Sequence, residues 1–375
     1  MSDYPITKLR VARLSTSFAS REKPGSGLNA YYHSRLSKAQ NLVITEAKAT
    51  EYLPLPRNVE LFLVSIKPSG LGALNAGFFL KAKNTVSKVI STLTFLYKAY
   101  KKLDDFRPEI VHLYTPIHFI TGMYCRIMFS SKVVVSLHGT DVLRLEKSFI
   151  LRQLLRCMDH IFVLSEKMIT DLKLDVNQCS FIGNGFDDEY FFLGNQVERK
   201  KIVLTVGNLR WQKDHAILLS AFSIFKESHP DYRLLIVGEG ELETELRALS
   251  RKLNIEESVC FVGKLEPKKV GLLMRESMIF VLSSISEGSP KVVLEALSCG
   301  LPVVATDVGD MRKIVGEDSV FPPQNAKEMA RFMVKKCENA PDIDRDTLAA
   351  TISSRSWSNV VHLLENKYLS MIDLG

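Results

Sequence analysis

Twelve short apolar runs set the terms for what this chain can fold into. In the first half they are RVARLS (10–15), NLVITEA (41–47), VELFLVSI (59–66), EIVHLY (109–114), KVVVSLH (132–138), HIFVLS (160–165) and CSFIGN (179–184). In the second half they are KIVLTVGN (201–208), YRLLIVGE (232–239), SVCFVG (258–263), MIFVLSS (278–284) and LPVVATD (301–307). Most are apolar at successive positions rather than at alternate ones, so both faces of the sheet they form are covered. Helix-length amphipathic segments separate them, which makes the repeating unit βαβ with right-handed crossovers. The expected fold is α/β, with two Rossmann-like, doubly wound parallel sheets of roughly 170 residues each. The chain has 375 residues, enough for two such cores.

The join is expected near 190–200, where FFLGNQVERKK is polar between two strand signals. This gives domains 1–195 and 196–355. Ligands of such sheets bind beyond the carboxyl ends of the strands, so two such domains are expected to face each other across a cleft. The segment SWSNVVHLLENKYLSMI (356–372) reads as a last helix with Trp357, Val360, Leu363, Leu364 and Tyr368 on one side. Residues 356–375 are expected to pack back on the first domain.

The composition, 46% hydrophobic and 24% charged, excludes a disordered chain. Six cysteines, Cys125, Cys157, Cys179, Cys260, Cys299 and Cys337, are scattered without a CxxC. That argues against a disulfide framework or a zinc site and fits a reducing cytosol. The start, MSDYPITKLRVARL, lacks the apolar core of a signal peptide. No run approaches the ~18 apolar residues of a spanning helix. The expected location is cytoplasmic, at most peripheral on the inner face of a membrane.

Charge is uneven. Residues 1–102 carry sixteen Lys/Arg against five Asp/Glu, whereas the whole chain is only +7. A basic first part suggests an anionic partner, namely a membrane surface, a phosphorylated acceptor or nucleic acid, or simply a solvated basic face. Nucleic acid lacks support, because the basic residues are not interleaved with aromatic ones.

The stretch SEGSPKVVLEALSCGLPVVATDVGD (286–310) places two acids, Glu287 and Glu295, among apolar and small residues. Ser289 suits an N-cap and Pro290 the first helical position; Lys291 to Ser298 then form a helix that Gly300 stops. The helix begins at the carboxyl end of a strand, so its free amides and positive dipole end make an anion site. Glu287 lies just ahead of that site and Glu295 lies inside the helix. Lys291 and Glu295 are spaced for an i,i+4 pair on a solvent face. Alternatively, Glu295 accepts two hydrogen bonds from a ribose diol, the diphosphate sits at the helix start, and Glu287 faces what hangs beyond it. Arg210 and Lys213, in TVGNLRWQKDH (205–215), are two further cations after a strand and suit a diphosphate. The glycine loop EKPGSGLNAYY (22–32) permits close backbone approach at Gly25 and Gly27.

Taken together these motifs resemble glycosyltransferase family 4, retaining enzymes of the GT-B fold. The main match is the Glu, seven residues, Glu pattern. PGSG, RPEIVHLY, HGTD (138–141), FIGNGFDDEYF (181–191), VGNLRWQK (206–213) and IVGEGEL (236–242) follow in the family's order. The resemblance covers roughly residues 8 to 370 and is looser in the first half. It implies that Glu295 binds the nucleotide ribose and Glu287 contacts the donor sugar. The amides of Gly288, Ser289, Pro290 and Lys291, as far as each has one, would hold the diphosphate together with the Lys213 side chain. Gly25, Ser26 and Gly27 would close over the phosphates, and His138 and Asp141 would line the sugar and acceptor side. The family usually has Arg where this chain has Asn208; Arg210 is the nearest substitute.

The resemblance also implies a hexosyltransferase-type activity without metal or other cofactor, in polysaccharide, lipopolysaccharide or glycolipid assembly. The sequence offers no clear carboxylate nucleophile, which favours same-face attack. The basic amphipathic stretch 81–102, with the apolar loop GLGALNAGFFL (70–80) before it, can dock on an anionic membrane near a lipid-linked acceptor, or can be an ordinary crossover helix. Rival readings are a nucleotide-sugar epimerase, a phosphorylase, and a silent nucleotide-sugar-binding scaffold. The sugar, nucleobase, acceptor, linkage and oligomeric state are not legible.

Overall fold

The structure, a computed structural model, describes residues 5–19, 28–46, 51–64, 97–115, 118–137, 145, 148–164, 166–194, 197–287 and 290–373. All twelve apolar runs form strands. The first seven are β1 Arg10–Ser15, β2 Gln40–Glu46, β3 Val59–Val64, β4 Ile110–Leu113, β5 Lys132–Ser136, β6 His160–Val163 and β7 Cys179–Phe181. The next five are β8 Ile202–Val206, β9 Arg233–Val237, β10 Val259–Gly263, β11 Ile279–Leu282 and β12 Val303–Thr306. A thirteenth, β13, is only Val320–Phe321.

The chain divides into two compact units, Met1–Gly183 with Ser358–Gly375, and Asn184–Trp357. The division precedes the polar stretch because Phe186 and Phe191 are already core residues of the second unit. Gly185 belongs there too: a Cβ on it would lie 2.5 Å from the Trp357 ring, so only glycine lets that indole lie flat on the backbone.

Both sheets are parallel throughout. The first runs β3-β2-β1-β4-β5-β6-β7 and the second β10-β9-β8-β11-β12-β13. Strand order reverses at β1/β4 in one and at β8/β11 in the other. In the second unit alternate residues feed opposite cores, as a pleated strand requires. Val203, Leu234, Ile279 and Val281 face one way, and Leu204, Val237, Phe280 and Leu282 the other.

The first unit departs from uniformly apolar strands. One face of its sheet is apolar, with Ala12, Leu14, Leu42, Val111, Leu113 and Val133. On the other, Arg13 is fully buried and is held by an amide and two phenol hydroxyls. Its Nε donates to Asn41 Oδ1 (2.8 Å) and its Nη1 to the hydroxyls of Tyr114 (3.0 Å) and Tyr368 (3.1 Å). Arginine can only donate, so both tyrosines accept from it. Their own protons then point to His33 Nδ1 (2.7 Å) and His112 Nδ1 (2.5 Å). The far nitrogen of His112 meets Ser136 Oγ at 2.7 Å.

Tyr368 comes from the last helix, Trp357–Asp373. Its buried stripe is Trp357, Val360, Val361, Leu364, Tyr368 and Met371. Leu363, expected on that stripe, is 52% exposed, because it lies one residue, about 100°, off it. Glu365 of this helix is buried and accepts from Ser37 Oγ (2.8 Å) and Lys38 N–H (2.7 Å).

Candidate active site

The loops after β8 and β9 lie backbone to backbone, and glycines make this possible. Gly238 has φ +140°, and a Cβ on it would stand 2.0 Å from the Gly207 carbonyl oxygen. One on Gly240 would stand 2.3 Å from that of Leu209. The Gly207 N–H donates to Val237 O (2.9 Å) and Leu209 N–H to Glu239 O (3.0 Å). The glycines of IVGEGEL thus brace the turn that carries Lys213.

That turn is a short 3-10 helix, Trp211–Lys213. Asp214 follows in the left-handed region (φ 43°) and caps the His215–Ser228 helix through Ile217 N–H (3.3 Å). The turn is also tied to the loop after β11. Ser283 Oγ donates to Lys213 O (2.7 Å) and Ile285 N–H to Gln212 O (2.8 Å). The Lys213 side chain runs over Gly207, its Cε 3.5 Å from where a Cβ would be.

Lys213 Nζ donates to Glu287 Oε1, and Ser284 Oγ donates to the same oxygen at 3.0 Å. The Ser284 carbonyl in turn accepts from Thr306 Oγ1 (2.7 Å). Loops after two adjacent strands, β8 and β11, therefore converge on one ion pair, braced from the end of the next strand, β12. It stands where the strand order reverses, which in open α/β sheets is where ligands bind. The pair is not sealed off: the two side chains are 26% and 18% exposed.

The helix after Glu287 is Lys291–Ser298, as expected, but it starts one residue later than its sequence signals. Pro290 is extended (φ −72°, ψ 111°) and occupies the cap position itself, without a side-chain bond. The expected cap Ser289 and Gly288 lie outside the described residues, as do Gly25, Ser26, Gly27, His138, Asp141 and the stretch 65–96.

Lys291 and Glu295 do not lie on a solvated face. Burial pushes the Glu295 carboxyl up to about 7, against the attraction of Lys291 and with the help of Asp187. Burial lowers the Lys291 ammonium to about 8, and its Nζ sits 5.1 Å from the centre of the buried Trp357 ring. Asn208 and Arg210 are exposed.

Several residues here gave no sequence signal. Ser284 holds Glu287, Asp187 stands near Glu295, and Trp357 backs Lys291. His215, directly after Asp214, is buried with its Nδ1 unpartnered. Burial, and then Lys213, lower its pKa to about 4, so it is neutral. Asp187 and His215 lie within FIGNGFDDEYF and TVGNLRWQKDH, where nothing marked either side chain, and Ser284 and Trp357 sit in ordinary-looking sequence.

Two family models match the chain. The one described as glycosyl transferases group 1 matches residues 186–346, which contain Lys213, Ser284, Glu287, Lys291 and Glu295, and the one described as Glycosyltransferase Family 4 matches 79–190. An uncharacterized glycosyltransferase of Methanocaldococcus jannaschii is 24% identical over 60% of this chain and 62% of its own length. The N-acetylgalactosamine-N,N'-diacetylbacillosaminyl-diphospho-undecaprenol 4-alpha-N-acetylgalactosaminyltransferase of Campylobacter jejuni is 33% identical over 41% of this chain and 42% of its own. The chain spans about half the length of these curated relatives. Among solved structures, Anabaena HepE in complex with UDP superposes with a TM-score of 0.70 at 16% identity, over 97% of this chain and 100% of that one. That likeness speaks for the fold, two Rossmann-like parallel-sheet domains of the GT-B type. With both models matching, the chain belongs to glycosyltransferase family 4.

Proposed function

We propose that this chain transfers a sugar from a nucleoside diphosphate sugar to an acceptor hydroxyl, with the anomeric configuration kept and without a metal ion. The observation that carries this reading is the Lys213–Glu287 pair at the β8/β11 reversal, followed directly by the helix bearing Glu295. The diphosphate takes Lys213 and the amides ahead of the Lys291–Ser298 helix. The ribose diol meets the Glu295 carboxylate, and the sugar meets Glu287. UDP in the HepE structure is in keeping with such a donor.

In the reaction the bond from the anomeric carbon to the diphosphate oxygen breaks. Negative charge grows on that oxygen, and Lys213 and the helix start offset it. The acceptor oxygen attacks from the same face, and its proton passes to the leaving phosphate. Glu287 orients the sugar. The resemblance to the family assigns His138 and Asp141, outside the described residues, to the acceptor.

A lipid-linked acceptor in surface polysaccharide, lipopolysaccharide or glycolipid assembly, met at an anionic membrane, completes the reading. The Campylobacter relative, named for a diphospho-undecaprenol substrate, supports it.

Thermal shift with a panel of nucleoside diphosphate sugars tests the donor, since a ligand at 100 times its Kd adds about 2.7 kcal/mol. A donor should stabilise the wild type and not Lys213→Ala, in EDTA as well as in magnesium. No shift with any donor contradicts the reading. Interconversion of the sugar without transfer identifies an epimerase instead.

A further inference from the structure

Three helices cover one face of the first unit's sheet: residues 97–106, Phe119–Phe129 and Phe149–Arg156. They lie side by side. Tyr100 and Tyr124 have ring centres 5.1 Å apart, and Arg126 bonds both the Cys157 carbonyl and Asp159. Their inner sides give Ala99, Leu103, Phe119, Cys125 and Leu155 to the core. At Gly122 the packing is so close that a Cβ would lie 2.8 Å from Val133 Cγ1.

A helix that buries one side on a sheet should turn a polar side to water. These do not. Ile120, Ile127 and Met128 on the second helix are 59%, 80% and 53% exposed, and Phe149 and Ile150 on the third are 67% and 71% exposed. Positions 120, 127 and 128 fall on one stripe of that helix. An apolar patch of this kind marks an interaction surface.

The surrounding charge decides what it fits. Residues 97–107, 118–130 and 148–159 hold seven Lys/Arg and three Asp/Glu. Lys98, Lys101 and Arg156 are exposed, and Arg152 is partly so. A second copy meeting this face across a two-fold axis sets like charges opposite one another, which opposes association. An anionic lipid surface meets both features at once, its headgroups taking the cations and its acyl boundary the apolar side chains.

We propose that this face is the membrane-docking surface, with Phe149 and Ile150 entering the bilayer boundary and Arg152, Arg156, Lys98 and Lys101 held by anionic headgroups. The proposal rests on the lipid-acceptor reading and places the contact on described helices, of which Lys98 and Lys101 belong to the basic stretch 81–102. Ile120, Phe149 and Ile150 stand at helix starts, hence at the carboxyl edge of their sheet. That is the edge from which ligands approach an open α/β sheet, so docking here brings a lipid-borne acceptor to the correct side of the unit.

The test is co-sedimentation of the full chain with vesicles of phosphatidylcholine, with and without phosphatidylglycerol. The wild type should pellet only with the anionic vesicles and be released by salt. F149S/I150S and R152Q/R156Q should each lower the bound fraction about tenfold, with thermal unfolding and the donor-induced thermal shift unchanged. The proposal is overturned if the wild type stays in the supernatant or if F149S/I150S pellets like the wild type. It is equally overturned if light scattering shows a dimer that F149S/I150S separates. Wild type that binds vesicles through these residues but shows no donor shift leaves the surface standing and removes the enzymatic reading.

Discussion

Lys213 and Glu287, 74 residues apart in the chain, form an ion pair at the ends of neighbouring strands. Before a donor arrives, Glu287 is the anion that Lys213 meets. Its replacement therefore separates holding the diphosphate from orienting the sugar. Glu287→Ala should bind donor at least as well as the wild type yet lose turnover by a factor of about 10² to 10³. A partly exposed pair contributes at most ~1 kcal/mol, so the melting temperature should hardly move. Initial rates, donor calorimetry and thermal unfolding check this together. Near-normal turnover contradicts the assignment.

Glu295 makes stability and binding run in opposite directions with pH. Its carboxyl is held up at about 7, well above the ordinary carboxylate range. Between that range and pH 7 the folded protein keeps a proton that the unfolded chain has lost. The contribution of this group to stability is thus full at low pH and lost as pH rises through 7. A ribose diol needs the ionised form, so donor affinity should fall as pH drops below 7. Glu295→Gln should melt higher than the wild type at pH 8 and bind donor weakly at every pH. Melting curves and donor titrations at pH 6 and 8 decide it; a wild-type donor affinity unchanged between them counts against the role.

The turn under Lys213 depends on Gly238. Gly238→Ala forces a Cβ onto the Gly207 carbonyl oxygen in a left-handed conformation. It should cost about 2–4 kcal/mol in urea denaturation and weaken donor binding. Gly207→Ala meets only ordinary contacts with the Lys213 chain and should fold as the wild type does. Equal stability of the two variants contradicts the packing argument.

Tyr368→Phe removes the hydroxyl shared by Arg13 and His112 in the buried face of the first sheet. Leaving a buried donor on Arg13 and a buried acceptor on His112 short of a partner should destabilise by about 1–3 kcal/mol. Urea denaturation followed at the first unit measures it, and a loss below ~0.5 kcal/mol contradicts the network.

The strands were legible because a parallel strand buried on both faces writes an apolar run into the sequence. Val320–Phe321 was not, being two residues between EDS and a pair of prolines. Arg13 was not either: its strand reads as apolar, and its partners Tyr114 and Tyr368 arrive from far along the chain. Glu287, Lys213 and Glu295 could be picked out by their place after strands. Whether Lys291 and Glu295 faced water was undecidable locally. Asp187 and Trp357, more than sixty residues to either side, set that environment. Ser289 and Pro290 misled by one residue, since proline suits both the cap and the first turn.

The most direct measurement is a crystal soaked with the nucleoside diphosphate sugar that stabilises the protein most. The account predicts the diphosphate on Lys213 and the start of the Lys291–Ser298 helix, the ribose on Glu295 and the sugar against Glu287. A donor bound elsewhere, with the Lys213–Glu287 pair untouched and Glu295 facing no ligand, contradicts it.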